Sequence, residues 1–78
     1  MKYKHIYFEE IQNRGKKTKI WVCWNHSGEE LGIVKWYSSW RQYCFDTNIV
    51  ILSKSCLLDI ADFLERVKDE RNEALKEE

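Results

Sequence analysis

Trp36-Tyr37-Ser38-Ser39-Trp40-Arg41-Gln42-Tyr43-Cys44-Phe45 packs five aromatic rings and a guanidinium into ten residues. Large rings favour the pleated, half-buried surface of a sheet. At this density they either build a small core or present a stacking surface. Ser38-Ser39 turns the chain, so residues 31–37 and 41–45 are read as two strands of an antiparallel hairpin.

Working outward, residues 3–11 alternate as Tyr3, His5 and Tyr7 against Lys4, Ile6 and Phe8, which predicts a first strand. Residues 12–17 form a polar connection in which Asn13 and Gly15 tolerate positive φ. Residues 19–24 predict a second strand with Ile20, Val22 and Trp24 on one side and Lys19, Trp21 and Cys23 on the other. Asn25-His26-Ser27-Gly28 reads as a hairpin turn. Asp46-Thr47-Asn48 turns again into a short apolar strand over residues 49–52.

Ser53 has the character of an N-cap. After it, Cys56, Leu57, Ile60, Ala61, Phe63, Leu64 and Val67 recur at helical spacing and form one apolar stripe. The expected fold is therefore α+β: an antiparallel four- or five-stranded meander sheet over about residues 3–52, with one C-terminal amphipathic helix over about residues 54–75 packed on one face. Residues 1–78 read as a single small domain, without internal repeat or low-complexity linker.

Seventy-eight residues lie near the lower limit for an unstapled domain. Four tryptophans, four tyrosines and three phenylalanines compensate by burying much area per residue. No apolar run is long enough to span a bilayer. Cys23, Cys44 and Cys56 are odd in number and widely spaced, which suits a reducing, cytoplasmic location better than a disulfide framework. Net charge is zero but unevenly spread. Residues 1–42 carry eight Lys/Arg against four Glu, and residues 43–78 carry five against nine Asp/Glu, giving +4 and −4.

Catalytic signals are lacking. His5 and His26 fall at an edge and a turn, and neither a glycine-rich loop nor a Gly-x-Ser-x-Gly elbow nor an HExxH motif occurs. Glu9-Glu10 and Glu29-Glu30 are adjacent pairs whose members diverge on a strand and discourage edge pairing. Cys23-x-x-His26 has ligand-like spacing, yet a structural zinc site needs two close ligand pairs and the sequence offers one. The expectation is a non-enzyme with no cofactor and no metal.

The aromatic–basic alternation is the functional signal. Lys19 and Trp21 share one face of the second strand, Lys35 and Tyr37 one of the third, and Arg41 and Tyr43 one of the fourth. A sheet face that interleaves rings and cations stacks unpaired bases and neutralises phosphates. The bland alternative is that most of these rings pack the sheet or a dimer.

The run Leu31-Gly32-Ile33-Val34-Lys35-Trp36-Tyr37-x-x-Trp40-Arg41-Gln42-Tyr43-Cys44-Phe45, with Cys56-Leu57-x-x-Ile60-Ala61-Asp62-Phe63, resembles a family of small uncharacterised phage and prophage proteins. That resemblance implies a mobile-element origin and no assigned activity. The order of strands, polar cap and single helix is also similar to the PC4-type single-stranded-DNA-binding fold, a topological likeness without its basic loop motif.

Together these readings predict a cytoplasmic, non-catalytic protein that binds single-stranded DNA or RNA on the sheet face left free by the helix. Lys19, Trp21, Lys35, Tyr37, Arg41 and Tyr43 are the expected contacts. The rival expectation is a phage-type inhibitor of a host or defence protein, acting through an acidic helix surface of Asp59, Asp62, Glu65, Asp69, Glu70 and Glu73. A homodimer through the uncovered face or an edge strand accommodates either.

Overall fold

The computed structural model describes residues 2–47 and 51–76. They form β1 (Ile6–Ile11), β2 (Ile20–Asn25), β3 (Glu30–Tyr37), β4 (Gln42–Asp46) and α1 (Lys54–Lys76). The strands are neighbours in chain order, β1-β2-β3-β4, and every pairing is antiparallel. The fold is thus the expected α+β meander with one C-terminal helix, and the described residues contain four strands. The strand expected over residues 49–52 lies partly outside the described residues, and Ile51 and Leu52 belong to no strand.

Local chemistry sets the connections. Gly15 takes the positive φ of the first turn at 72°, a conformation that costs a residue without Cβ little. The Asn25 side chain accepts from the Ser27 and Glu29 amides at 3.0 and 2.9 Å, closing the β2–β3 turn. The β3–β4 turn is longer than Ser38-Ser39 alone. Trp40 and Arg41 donate to the carbonyls of Tyr37 and Ser38 at 3.2 Å each, and Arg41 sits at φ 54°. Arg41 therefore belongs to the turn and not to β4. At the helix start Ser53 Oγ accepts from the Cys56 amide at 3.2 Å, the N-cap its sequence position implies.

Strand alternation divides the sheet into two faces. Ile6, Phe8, Trp21, Cys23 and Val34 point to the helix and join Ile60, Phe63 and Val67 in one core cluster. Cross-strand register matches these positions, with Phe8 opposite Cys23 and Trp21 opposite Val34. Between Cys23 and Trp24 the partner jumps from Gly32 to Glu30, so a bulge drops Leu31 into the core as well. Phe63 lies flat on Phe8, centroids 3.8 Å apart and planes 2° from parallel, and meets Trp21 edge-on at 5.3 Å. Gly32 leaves the space into which Phe45 folds: a Cβ there would stand 2.7 Å from both the Asp46 carbonyl oxygen and Phe45 Cζ.

The helix buries less of its apolar stripe than its spacing predicts. Ile60, Phe63 and Val67 are buried and Leu64 is half-buried, but Leu57 is 52% exposed and Ala61 is also exposed. Leu64 faces β4, the edge strand, and helical spacing sets Leu57 and Ala61 on the same flank.

Candidate nucleic-acid interface

The six residues chosen from sequence do not share one face. Trp21 is buried beneath the helix, 8% exposed, and its ring edge meets Tyr43 at 5.6 Å. Tyr43 lies on the same helix side, half-buried, opposite Trp36. Lys35 and Tyr37 point from the other face, where Lys35 Nζ pairs with Asp46 at 3.2 Å. Lys19 precedes β2 and meets Tyr43 only through its backbone amide, which donates to the phenol oxygen at 3.2 Å. The expected platform of Trp21, Tyr37 and Tyr43 is therefore split. Trp21 belongs to the core because β2 turns Trp21 and Cys23 to one face, and the helix packs on that face through Ile60, Phe63 and Val67.

The uncovered face mixes aliphatic side chains with Tyr7, Trp24 and Tyr37. Val22 is buried to 7% between its cross-strand partners Glu9 and Ile33, and Ile20, Ile33 and Trp24 are half-buried around it. Lys35, neutralised by Asp46, is the cation its strands contribute. Such a face lacks the interleaved cations that phosphate binding requires.

The cation–aromatic pairing occurs elsewhere. An open cleft of about 550 Å³ runs between the β3–β4 hairpin and the second half of α1. Trp36, Trp40, Arg41 and Tyr43 form one wall, and Leu64, Glu65, Lys68 and Arg71 the other. The hairpin places Trp40 at its tip, 67% exposed, in a T-shaped contact with Tyr37, centroids 4.9 Å apart. Arg71 crosses from the helix to lie over Trp36, 4.2 Å from the ring centroid, and Tyr43 meets the edge of Trp36 at 5.4 Å. Arg41 therefore stands beside the rings on the hairpin wall, and Lys68 and Arg71 face them from the helix, with Glu65 the acid among the cleft residues.

Arg41 and Tyr43 are the two sequence-chosen residues that the cleft contains. Trp36, Trp40, Lys68 and Arg71 were not chosen. Lys68 and Arg71 stand three residues apart and flank the core position Val67, a spacing that puts both on one side of a helix.

The helix divides its charge accordingly. Asp62 faces the N-terminal segment, accepting from the Tyr3 hydroxyl at 2.7 Å and from Arg66 Nε at 2.8 Å. These two bonds hold its carboxyl below the ordinary range, the Tyr3 bond first. Helical spacing sets Asp59, Asp69, Glu70 and Glu73 on or near that flank and Lys68 and Arg71 on the β4 flank.

The two possible metal ligands of β2 and its turn do not converge. Cys23 is buried under the helix, where burial, and secondarily Cys56, pushes its thiol up to about 12. His26 stacks on Tyr7, on the opposite face, at 5.6 Å. Among the described residues no group of three or more His, Cys, Asp or Glu is arranged to hold a metal ion, and no helix is long and apolar enough to cross a membrane.

No family model matches the chain, and no solved structure matches it. Over 72 residues, 90% of this chain and 92% of its relative, the sequence is 29% identical to an uncharacterized 9.3 kDa protein of Acholeplasma phage L2. The chain is thus similar, along nearly all of its length, to a small phage protein.

Proposed function

We propose that this protein binds single-stranded nucleic acid without catalysis, in the cleft between the β3–β4 hairpin and the helix. The observation that carries the reading is the exposed Trp40 ring beside Arg41, facing Lys68 and Arg71 across an open cleft. An exposed ring stacks on any base, while guanidinium and ammonium groups on both walls neutralise successive phosphates. The cleft volume lies within the range of small-ligand sites, enough for a base or nucleotide. The likeness to the PC4-type fold adds an analogy in strand and helix order, without support from particular residues.

Titration with short single-stranded oligonucleotides, followed by tryptophan fluorescence at two salt concentrations, tests the reading. Quenching that saturates, with affinity falling as salt rises, is the expected result. Unchanged emission at low salt overturns it.

The segregated acidic flank supports a second reading, in which a phage-type protein occupies a host or defence protein by imitating nucleic-acid charge. Its test is reversal of Asp69 and Glu70 to Lys: loss of a host-protein complex with oligonucleotide binding intact favours this second reading.

A further inference from the structure

The two edges of the sheet differ in a way that predicts assembly. β1 carries Glu9 and Glu10, and Lys2 forms a bridge with Tyr7 alongside it. Charges and a covering segment are how edge strands are shielded from further pairing. β4 has neither. Its sequence, Gln42-Tyr43-Cys44-Phe45-Asp46, contains no lysine or proline, its one charge is at the end and engaged by Lys35, and its pairing with β3 is free of bulges. Above this unshielded edge the helix exposes Leu57, Ala61 and half of Leu64.

We propose that β4 is the interface with a second copy of this chain, paired antiparallel to itself about a two-fold axis through Cys44. Directly opposed residues in an antiparallel pair lie on the same face, so symmetric registers centre on a residue. Only the register centred on Cys44 pairs all five residues of β4. It sets Gln42 opposite Asp46 of the second copy, an amide donor facing a carboxylate. It sets Tyr43 opposite Phe45, an aromatic pair of the kind that stabilises sheets. No like charges meet. The result is one eight-stranded sheet with both helices on the same side. The Leu57–Ala61–Leu64 flanks then face each other across the axis, which shelters the apolar surface that a single chain leaves above its edge.

The pairing engages Gln42, Tyr43, Cys44, Phe45 and Leu64, which also line the cleft, so dimer formation and oligonucleotide binding compete for this edge. The pairing also makes a chemical prediction of its own. Cys44 stands directly opposite Cys44 of the second copy, with Cα atoms about 4.5–5.5 Å apart, inside the roughly 4.4–6.8 Å that a disulfide spans. Two thiols can therefore be joined by diamide, which accepts their two hydrogens, to give a disulfide-linked dimer.

The test is sedimentation equilibrium of the whole chain, with diamide cross-linking and peptide mapping of the product. The expected result is a mass rising with concentration toward twice the 9.5 kDa of one chain, with the cross-link at Cys44. Cys44→Ser abolishes the cross-link and keeps the dimer. Cys44→Glu separates folding from assembly. Within one chain the introduced carboxylate faces Lys35, its cross-strand partner, whereas across the axis two carboxylates collide. This variant should fold and sediment as a monomer. A wild-type mass that stays at one chain up to about 1 mM overturns the proposal and leaves the edge to a foreign strand. A dimer that survives Cys44→Glu without a Cys44 cross-link also overturns it, and points to the open sheet face around Val22.

Discussion

The Arg71 guanidinium rests 4.2 Å above the Trp36 ring while Tyr43 meets that ring edge-on at 5.4 Å. One face of Trp36 is thereby occupied and its edge packed, so this tryptophan joins the second half of the helix to β3. Trp40, four residues later, touches Tyr37 edge to face and is otherwise 67% exposed. Two rings of one motif therefore have different tasks, one holding the cleft wall and the other facing solvent.

Their substitutions should separate. Trp40→Ala should leave stability within about 0.5 kcal/mol, as surface changes do, and weaken oligonucleotide binding by about 1–3 kcal/mol for the lost stack. Arg71→Ala should cost about 0.5–1 kcal/mol of stability from the lost cation–π contact. Urea unfolding beside fluorescence titration checks both, and a Trp40→Ala protein that binds normally removes that ring from the interface.

Phe63 is the side chain by which the helix is held to the sheet. It stacks on Phe8 and abuts Trp21, so Phe63→Ala should cost about 3–5 kcal/mol, a large fraction of what a small domain possesses. Leu57→Ala, at a position 52% exposed, should cost far less in the isolated chain. Equal losses in urea midpoints would contradict the packing described.

The contrast between Phe63 and Leu57 shows what was legible in sequence. Alternation gave the strands, and the 3.6-residue period with the Ser53 cap gave the helix to within a residue. The stripe did not show which of its positions the sheet covers, and Leu57 and Ala61 are left exposed. In β2 both alternating sets are apolar, so alternation alone left open whether Trp21 or Trp24 lay under the helix. Arg41 escaped because its left-handed φ of 54°, uncommon for a residue with a Cβ, extends the turn and ends the alternation assumed for it. The cleft needed β4 and residues 64–71 brought together, a tertiary fact that local spacing does not carry.

Gly32→Ala should destabilise the domain by about 1–3 kcal/mol, the usual cost of overpacking. The added Cβ would meet a backbone oxygen of Asp46 at 2.7 Å and the Phe45 ring at the same distance. Because the first obstacle is main chain, a rotamer change cannot relieve it. An unchanged melting temperature would show that β4 shifts freely against β3.

Alkaline pH should unfold the protein through two groups. Burial, then the bond to Asp62, pushes the Tyr3 phenol from 10.0 up to about 12. Burial and secondarily Cys56 push the Cys23 thiol from 9.0 up to about 12. A folded-state pKa above the unfolded one stabilises fully below the unfolded value and is lost as pH rises through the folded one. Stability should therefore fall from about pH 9 to pH 12, and Tyr3→Phe should shallow the part above pH 10. Asp62 acts at the opposite limb: its lowered pKa contributes above 3.8 and is lost as pH falls through the depressed value. Urea midpoints across pH for wild type and Tyr3→Phe decide the matter, and parallel alkaline limbs would exclude the phenol.

Salt dependence distinguishes the cleft from the sheet face. Each phosphate neutralised on a single strand contributes about 0.7 to the slope of log affinity against log salt. Lys68→Ala removes a cation from the cleft wall and should reduce that slope by about 0.7, weakening all sequences alike. Lys35 lies on the open face, already paired with Asp46 at 3.2 Å, so Lys35→Ala should leave the slope unchanged. Both lysines are surface groups whose loss spares the fold, so neither result can be ascribed to unfolding. If Lys35→Ala flattens the salt dependence and Lys68→Ala does not, the bound strand lies on the open sheet face and the cleft assignment fails.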